Sequence, residues 1–280
     1  MSADVAIVTD STADLGDLGG PDVTVVPLTV TFGSAQFRDG VDLNADQFYK
    51  RLVSDPNHPV TAQPAPAAFA QAYRRLLDAG AEHIVSLHLS SALSGTYNSA
   101  VLGAQQVDGD RITVIDTRNA SAGLGLLVLA ARDQAARGEP VQAIIDKVNA
   151  DIPRDQLFAA IPTLTFLARG GRIGALQSML GNVLQIVPII TLKDGLVGEH
   201  SKVRTFARAV DQIVDLVAER IPTKGTARCA VMHSAAPELA AKVAQRIQER
   251  VQPASIITTS AGPTVGTHAG PGAVGVFFIP

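Results

Sequence analysis

Short apolar runs, each followed by a polar and hydroxyl-rich segment, recur through the first part of the chain. Val5-Ala6-Ile7-Val8, Val23 to Val30, His83 to Leu89 and Ile112 to Thr117 are strand-length and rich in β-branched residues. A continuous apolar run, unlike an alternating one, marks a strand buried on both faces, as in a parallel sheet covered by helices. Helical patterns separate these runs: Ala45 to Leu52 behind a capping Asn44, Ala67 to Leu77 behind the rigid loop Thr61-Ala62-Gln63-Pro64-Ala65-Pro66, and the stretch beginning at Ala100. The segment from Ala120 to Ala131 is apolar nearly all round, so it is either interior or lines an apolar cavity, with Gly123 and Gly125 leaving room at its start.

The pattern changes after about Ile152. Val187 to Leu192 and Leu196 to Glu199 flank Asp194-Gly195, a hairpin signature. Helices at Phe206 to Arg220 and Glu238 to Val251 and a last apolar strand, Ala273 to Phe278, complete an α+β pattern. The expected fold is therefore α/β: a parallel-sheet domain over residues 1–153 and a smaller α+β domain over 154–280. The last strand is free to pack on either domain.

Composition narrows the function. With 46% apolar and 18% charged residues in 280, the chain can bury a large core. Aromatics at 4%, no Trp and a net charge of −3 argue against base-stacking or polyanion binding. Cys229 stands alone, which excludes an intrachain disulfide framework or a zinc cluster, and it reads as a small buried strand residue. The N-terminus runs straight into a strand without a basic region or apolar signal core, and the longest apolar helix is too short for a bilayer. A soluble, cytoplasmic protein is expected.

The richest chemistry lies in Ser90-Ser91-Ala92-Leu93-Ser94-Gly95-Thr96-Tyr97-Asn98-Ser99. Strand, hydroxyl-rich turn, helix is the context of an anion site, because the first amides of a helix are free and partly positive. Ser94 as a simple N-cap is the competing reading. Asp10 and Ser11 stand at the carboxyl end of the first strand, where open α/β sheets place ligands, and they also suit helix capping. Gly270-Pro271-Gly272-Ala273-Val274-Gly275 fits G-x-G-x-x-G but opens a strand, and Pro271 lacks an amide, so it is not a nucleotide site. There is no Walker A sequence, and no G-x-S-x-G surrounds Ser94. His268 sits among small residues and reads as a loop residue. His58, His83, His88, His200 and His233 show no metal-ligand spacing. Arg169 and Arg172 flank two glycines, an anion site or a helix C-terminus.

Five strings taken together, Asp10-Ser11-Thr12-Ala13-Asp14, Thr61-Ala62-Gln63-Pro64, Ser90 to Tyr97, Gly170-Gly171-Arg172-Ile173 and His268-Ala269-Gly270-Pro271-Gly272, resemble the DegV family, in particular the fatty-acid-binding subunit (FakB) of bacterial fatty acid kinase. The order holds over nearly the whole chain. The resemblance implies a Rossmann-like N-terminal domain and a smaller α+β C-terminal domain with the ligand, one long-chain fatty acid, between them, without a cofactor or metal. It implies that the protein is not itself an enzyme but presents the carboxyl to an ATP-dependent kinase, which forms an acyl-phosphate. By motif, Thr61 and Ser94 resemble the hydroxyls that hold the carboxylate, Gly95 an amide donor beside it, and His268 and Arg172 its polar surroundings. Gly123, Leu124 and Leu127 are expected to line the tunnel, and Arg204 to face the kinase. Transient contact with a membrane surface is compatible with this role. Ala62 and Ala65 stand where the family often has Ser, which thins the hydrogen-bond shell, and Val187 precedes Pro188 where the family often has Lys. A reading from another class is a serine hydrolase or acyltransferase using Ser94 and His268; a third is a small-molecule sensor.

Overall fold

The computed structural model describes residues 5–179 and 186–280; residues 1–4, which bear on the reading of the N-terminus, lie outside them. Strands β1 (Val5–Asp10), β2 (Val23–Val26), β6 (His83–His88) and β7 (Ile112–Asp116) form a four-stranded sheet in the order β2-β1-β6-β7, parallel throughout. Their near-continuous apolar character follows from burial on both faces. Helices α2 (Pro66–Asp78) and α3 (Thr96–Gln105) cover one face through Phe69, Tyr73 and Ala100. Pro66 opens α2 at a position where its missing amide costs nothing.

The expected strand from Val23 to Val30 is two strands. Pro27 cannot donate to a ladder, so the chain leaves the parallel sheet after β2 and re-enters a separate three-stranded sheet as β3 (Thr29–Phe32). There β3 lies between β4 (Ala35–Arg38) and β5 (Val60–Ala62), antiparallel to both. Helix α1 (Ala45–Ser54) backs this small sheet, with Phe48 and Tyr49 packed against Phe32. It begins in a capping box in which Asn44 and Gln47 satisfy each other's backbone amides.

The second large sheet has six strands in the order β10-β9-β8-β13-β11-β12, from β8 (Gln156–Ala160), β9 (Val187–Lys193), β10 (Leu196–Val203), β11 (Arg228–His233), β12 (Ser255–Ser260) and β13 (Val274–Ile279). Asp194-Gly195 makes the β9–β10 turn, both residues at positive φ. The last strand is central, between β8 and β11, and accordingly reads as apolar on both faces. Helices α7 (Phe206–Arg220) and α8 (Pro237–Val251) cover the outer face.

Helix α4 (Ser121–Ala136), which packs against the following helix α5 (Val141–Asp151), lies between the two large sheets, against β1 and β6 on one side and β11 and β13 on the other. This position explains a helix without a polar face over its first turns. Gly125 lets it approach the turn after β1: a Cβ there would stand 2.7 Å from the Ala13 carbonyl oxygen.

Candidate functional site: a cavity between the sheets

A cavity of about 380 Å³ opens beside the start of α4, in the ~300–1,000 Å³ range of small-ligand pockets. Leu89, Leu157, Ile161, Ile190, Leu192 and Phe277 supply much of its apolar wall. Four of its polar side chains come from separate segments. Thr61 comes from β5, the edge strand of the small sheet, where a rigid loop is expected from sequence. Ser94 comes from the turn before α3. Arg172 follows α6 (Thr165–Arg169). His268 comes from α9 (Pro263–Ala269), a short helix opened by Pro263 and not the expected loop.

These groups are tied to one another. Thr61 Oγ1 pairs with His268 Nε2 at 3.0 Å. Arg172 donates from Nε to the Leu93 carbonyl at 3.1 Å and from Nη1 to the Gly170 carbonyl at 2.6 Å, which fixes the guanidinium beside the Ser94 turn. Ser94 Oγ pairs with Thr96 Oγ1 at 2.9 Å and accepts the Thr96 amide at 3.3 Å. Gln63, which the motif reading passed over as a site residue, also lines the cavity and donates to Ser99 at 3.3 Å. Its place in the string with Thr61 was the available signal. A Cβ at Gly95, the N-cap of α3, would collide with the Gln63 amide; Gly95 itself is not among the cavity-lining residues.

Burial pushes His268 down to about 4, and the charges of Arg172 and His58 act in the same direction. Its ring is therefore neutral at neutral pH. Nε2 meets Thr61, while Nδ1 is buried without a partner among the described residues. Arg172 is the cation of the cluster. Ser94 and His268 are not hydrogen-bonded to each other, and no carboxylate orients His268, so the constellation needed by the hydrolase reading is not assembled. No cluster of potential metal ligands occurs among the described residues, and no helix among them is long and apolar enough to cross a membrane.

The expected tunnel lining needs correction. Gly123, Leu124 and Leu127 are buried in the layer between the sheets, and only Ala120 and Ser121 bring this region of the chain to the cavity. Gly123 is small because a Cβ would collide with Asn119, not because a ligand approaches. Periodicity alone could not separate an interior helix from a cavity-lining one. Arg204 lies exposed between β10 and α7, outside the cavity.

Two acids outside the motif reading's site hold α9 in place. Asp14 accepts the Gly262 amide at 2.8 Å and the Ser121 hydroxyl at 2.6 Å, and the Thr259 hydroxyl donates to the Asp14 carbonyl. Asp39 accepts the Thr264 amide at 3.1 Å and the Ser11 hydroxyl at 3.0 Å. Burial raises both carboxyls, Asp39 to about 6 and Asp14 well above the usual carboxylate range.

A largely apolar cavity with an arginine, a neutral imidazole and hydroxyls on its wall, set between a parallel sheet and a mixed sheet, marks an α/β protein of two large sheets. The chain belongs to the DegV family: the model for "Uncharacterised protein, DegV family" matches residues 4–280. A DegV domain-containing protein of Deinococcus radiodurans is 39% identical over 280 residues, covering 99% of this chain and 98% of its own. One from Caldanaerobacter subterraneus is 34% identical over 276 residues, covering 98% of each. Among solved structures, the fatty-acid-binding DegV family protein of Thermus thermophilus superposes with a TM-score of 0.92 at 32% identity, over 98% of this chain and 99% of that one. DegV of Bacillus subtilis, a fatty acid binding protein, superposes at 0.88 with 27% identity over 99% of each.

Proposed function

We propose that this protein binds a long-chain fatty acid in the cavity, with the carboxyl at Thr61, Ser94, His268 and Arg172, and presents it in the cytoplasm to an ATP-dependent kinase that forms the acyl-phosphate. The observation that carries the reading is the convergence of those four side chains at one largely apolar cavity. A carboxylate needs a cation and several donors but no acid–base chemistry from its carrier, and this cluster supplies that set. In this reading Gly95 offers its amide next to Ser94, and the division at 153/154 lets two domains close on the lipid. The fatty-acid-binding neighbours support the ligand class. The kinase rests on the resemblance of the motifs.

Magnitudes divide the labour. Each buried methylene contributes about 0.8 kcal/mol, so a long chain gains on the order of 10 kcal/mol before ordering costs. A hydrogen bond to the charged carboxylate contributes about 1.5–3 kcal/mol. The tail holds the lipid and the head group sets where its oxygen stands, which matters because phosphoryl transfer depends on in-line geometry. Ser94→Ala should therefore retain fatty acid, bound about tenfold more weakly, yet support acyl-phosphate formation poorly even when saturated; Thr61→Val should shift both in the same direction. Arg204→Ala, on an exposed surface, should keep full lipid affinity and slow phosphorylation at subsaturating carrier. Lipid occupancy by native mass spectrometry beside kinase turnover separates the cases. Ser94→Ala that emerges empty but turns over normally once loaded would contradict the positioning role.

A further inference from the structure

The β9–β10 hairpin reaches from the six-stranded sheet to the turn that carries Ser94. Within the sheet, β9 pairs with β8 at Ile189 and Ile190 and then leaves it. At that level the β9–β10 ladder shifts register, between Glu199 and Ser201, which face Ile190 and Ile189. Beyond it the two strands pair with each other, and Leu192 and Val197 of this projecting arm line the cavity. The 3₁₀ turn Gly174–Met179 packs on β10. At the tip, the Ser90 hydroxyl donates to the Gly195 carbonyl at 2.8 Å in a buried hydrogen bond. Gly195 suits this approach: its φ of +80° serves the turn, and a Cβ on it would collide with the Ser90 hydroxyl. Ser90 is itself fully buried, and all its polar groups are engaged. Its amide donates to the Asn119 carbonyl at 2.8 Å, and its carbonyl accepts the Leu93 and Ser94 amides at 3.0 and 3.2 Å. Its hydroxyl also accepts the Ala92 amide at 3.3 Å. The residue that fixes the backbone of the Ser94 turn is thus the one the hairpin tip touches.

Resting on the fatty-acid reading above, we propose that Ser90 is a positioning residue that ties the hairpin lining the acyl chain to the turn holding the carboxyl. A tail packed against Leu192 and Val197 fixes the hairpin. The hairpin tip fixes the Ser90 hydroxyl, and the Ser90 carbonyl holds the Ser94 amide. Filling the tail side of the cavity therefore sets the place of the hydroxyl that aims the head group.

The test is a calorimetric titration of delipidated protein with hexadecanoic acid and with hexadecan-1-ol, which has the same tail and no carboxyl. The ratio of the two affinities reads how well the carboxyl is placed, whereas a change that merely loosens the fold or the tail wall moves both affinities together. Wild type should favour the acid. Gly195→Ala on the hairpin and Ser90→Ala on the turn should each lower that preference about tenfold, the lower end for a hydrogen bond to a charged group. The double variant should lose no more than either single one, because both break the same link. With the Ser90 hydroxyl gone, a Cβ at position 195 meets the Ser90 and Arg118 Cβ atoms at 3.4 and 3.5 Å, which are ordinary contacts. A preference unchanged in either single variant, or losses that add in the double, overturns the coupling while the fatty-acid reading stands. Wild type that binds neither lipid, or binds the alcohol as tightly as the acid, overturns the fatty-acid reading itself.

Discussion

In the parallel sheet, His88 is held between Asp10 at 2.9 Å and Ser86 at 2.7 Å, and Ser86 is held in turn by Tyr73 at 2.8 Å. At the cavity, His268 meets one hydroxyl, Thr61, and among the described residues Nδ1 has no partner. The first arrangement contains an aspartate, a histidine and a serine in hydrogen-bonded sequence, the composition of a hydrolytic triad. His88, Ser86 and Asp10 are nevertheless all fully buried, both ring nitrogens are occupied, and neither His88 nor Ser86 lines the cavity between the sheets. The second arrangement looks poorer and is the one that faces open space. Position at a cavity distinguishes a binding group from a structural one, and residue types alone do not.

The largest effect that sharpens this contrast is on stability. His88→Ala strips the buried Asp10 carboxyl of a partner and leaves a void, and should cost roughly 3–5 kcal/mol in urea unfolding. The folded fraction should bind fatty acid normally. Lipid affinity lost without stability would place His88 in the site and break the comparison.

A smaller effect concerns pH. His268 falls from 6.5 to about 4 in the folded protein, so the unfolded chain takes up the proton first. The stability linked to this group is intact above pH 6.5 and is lost as pH falls through 6.5 toward 4. Between pH 7 and pH 5 that loss is about 2 kcal/mol. Asp14 and Asp39, raised by burial, act with the opposite sign, so the quantity to measure is the difference between wild type and His268→Gln. Equal pH slopes for the two proteins would show His268 to be less desolvated than its position implies.

The smallest effect is at Gly170. Its φ of −78° suits any residue, but a Cβ would collide with His268 Nδ1. Gly170→Ala should move the imidazole and weaken fatty-acid binding about tenfold in calorimetric titration. An unchanged affinity would mean that the ring position does not matter to the ligand.

Much of the fold was legible where a local signal sufficed. Asn44 announced α1, Asp194-Gly195 the β9–β10 turn, and the amphipathic repeat of α7 its whole length from Phe206 to Arg220. The rest depended on distance in sequence. His88 and Asp10 are 78 positions apart, and Thr61 and His268 are 207 apart, so neither pairing leaves a periodic trace. Thr61 joins a strand only because β3 lies beside it, and α9, with seven residues, is too short to show amphipathicity. The two acids that hold α9, Asp14 and Asp39, read locally as turn and cap residues. Their hold on α9 required the C-terminal part of the chain to fold back onto α1 and β3.

The central claim is that the cavity holds a fatty acid by its tail and positions it by its head. Native mass spectrometry of the purified protein, before and after denaturation, tests it most directly. The account predicts a one-to-one complex whose extra mass is that of a long-chain fatty acid and is lost completely on denaturation. A protein that carries no lipid and takes up none when offered, or an acyl adduct on Ser94 that survives denaturation, would contradict it.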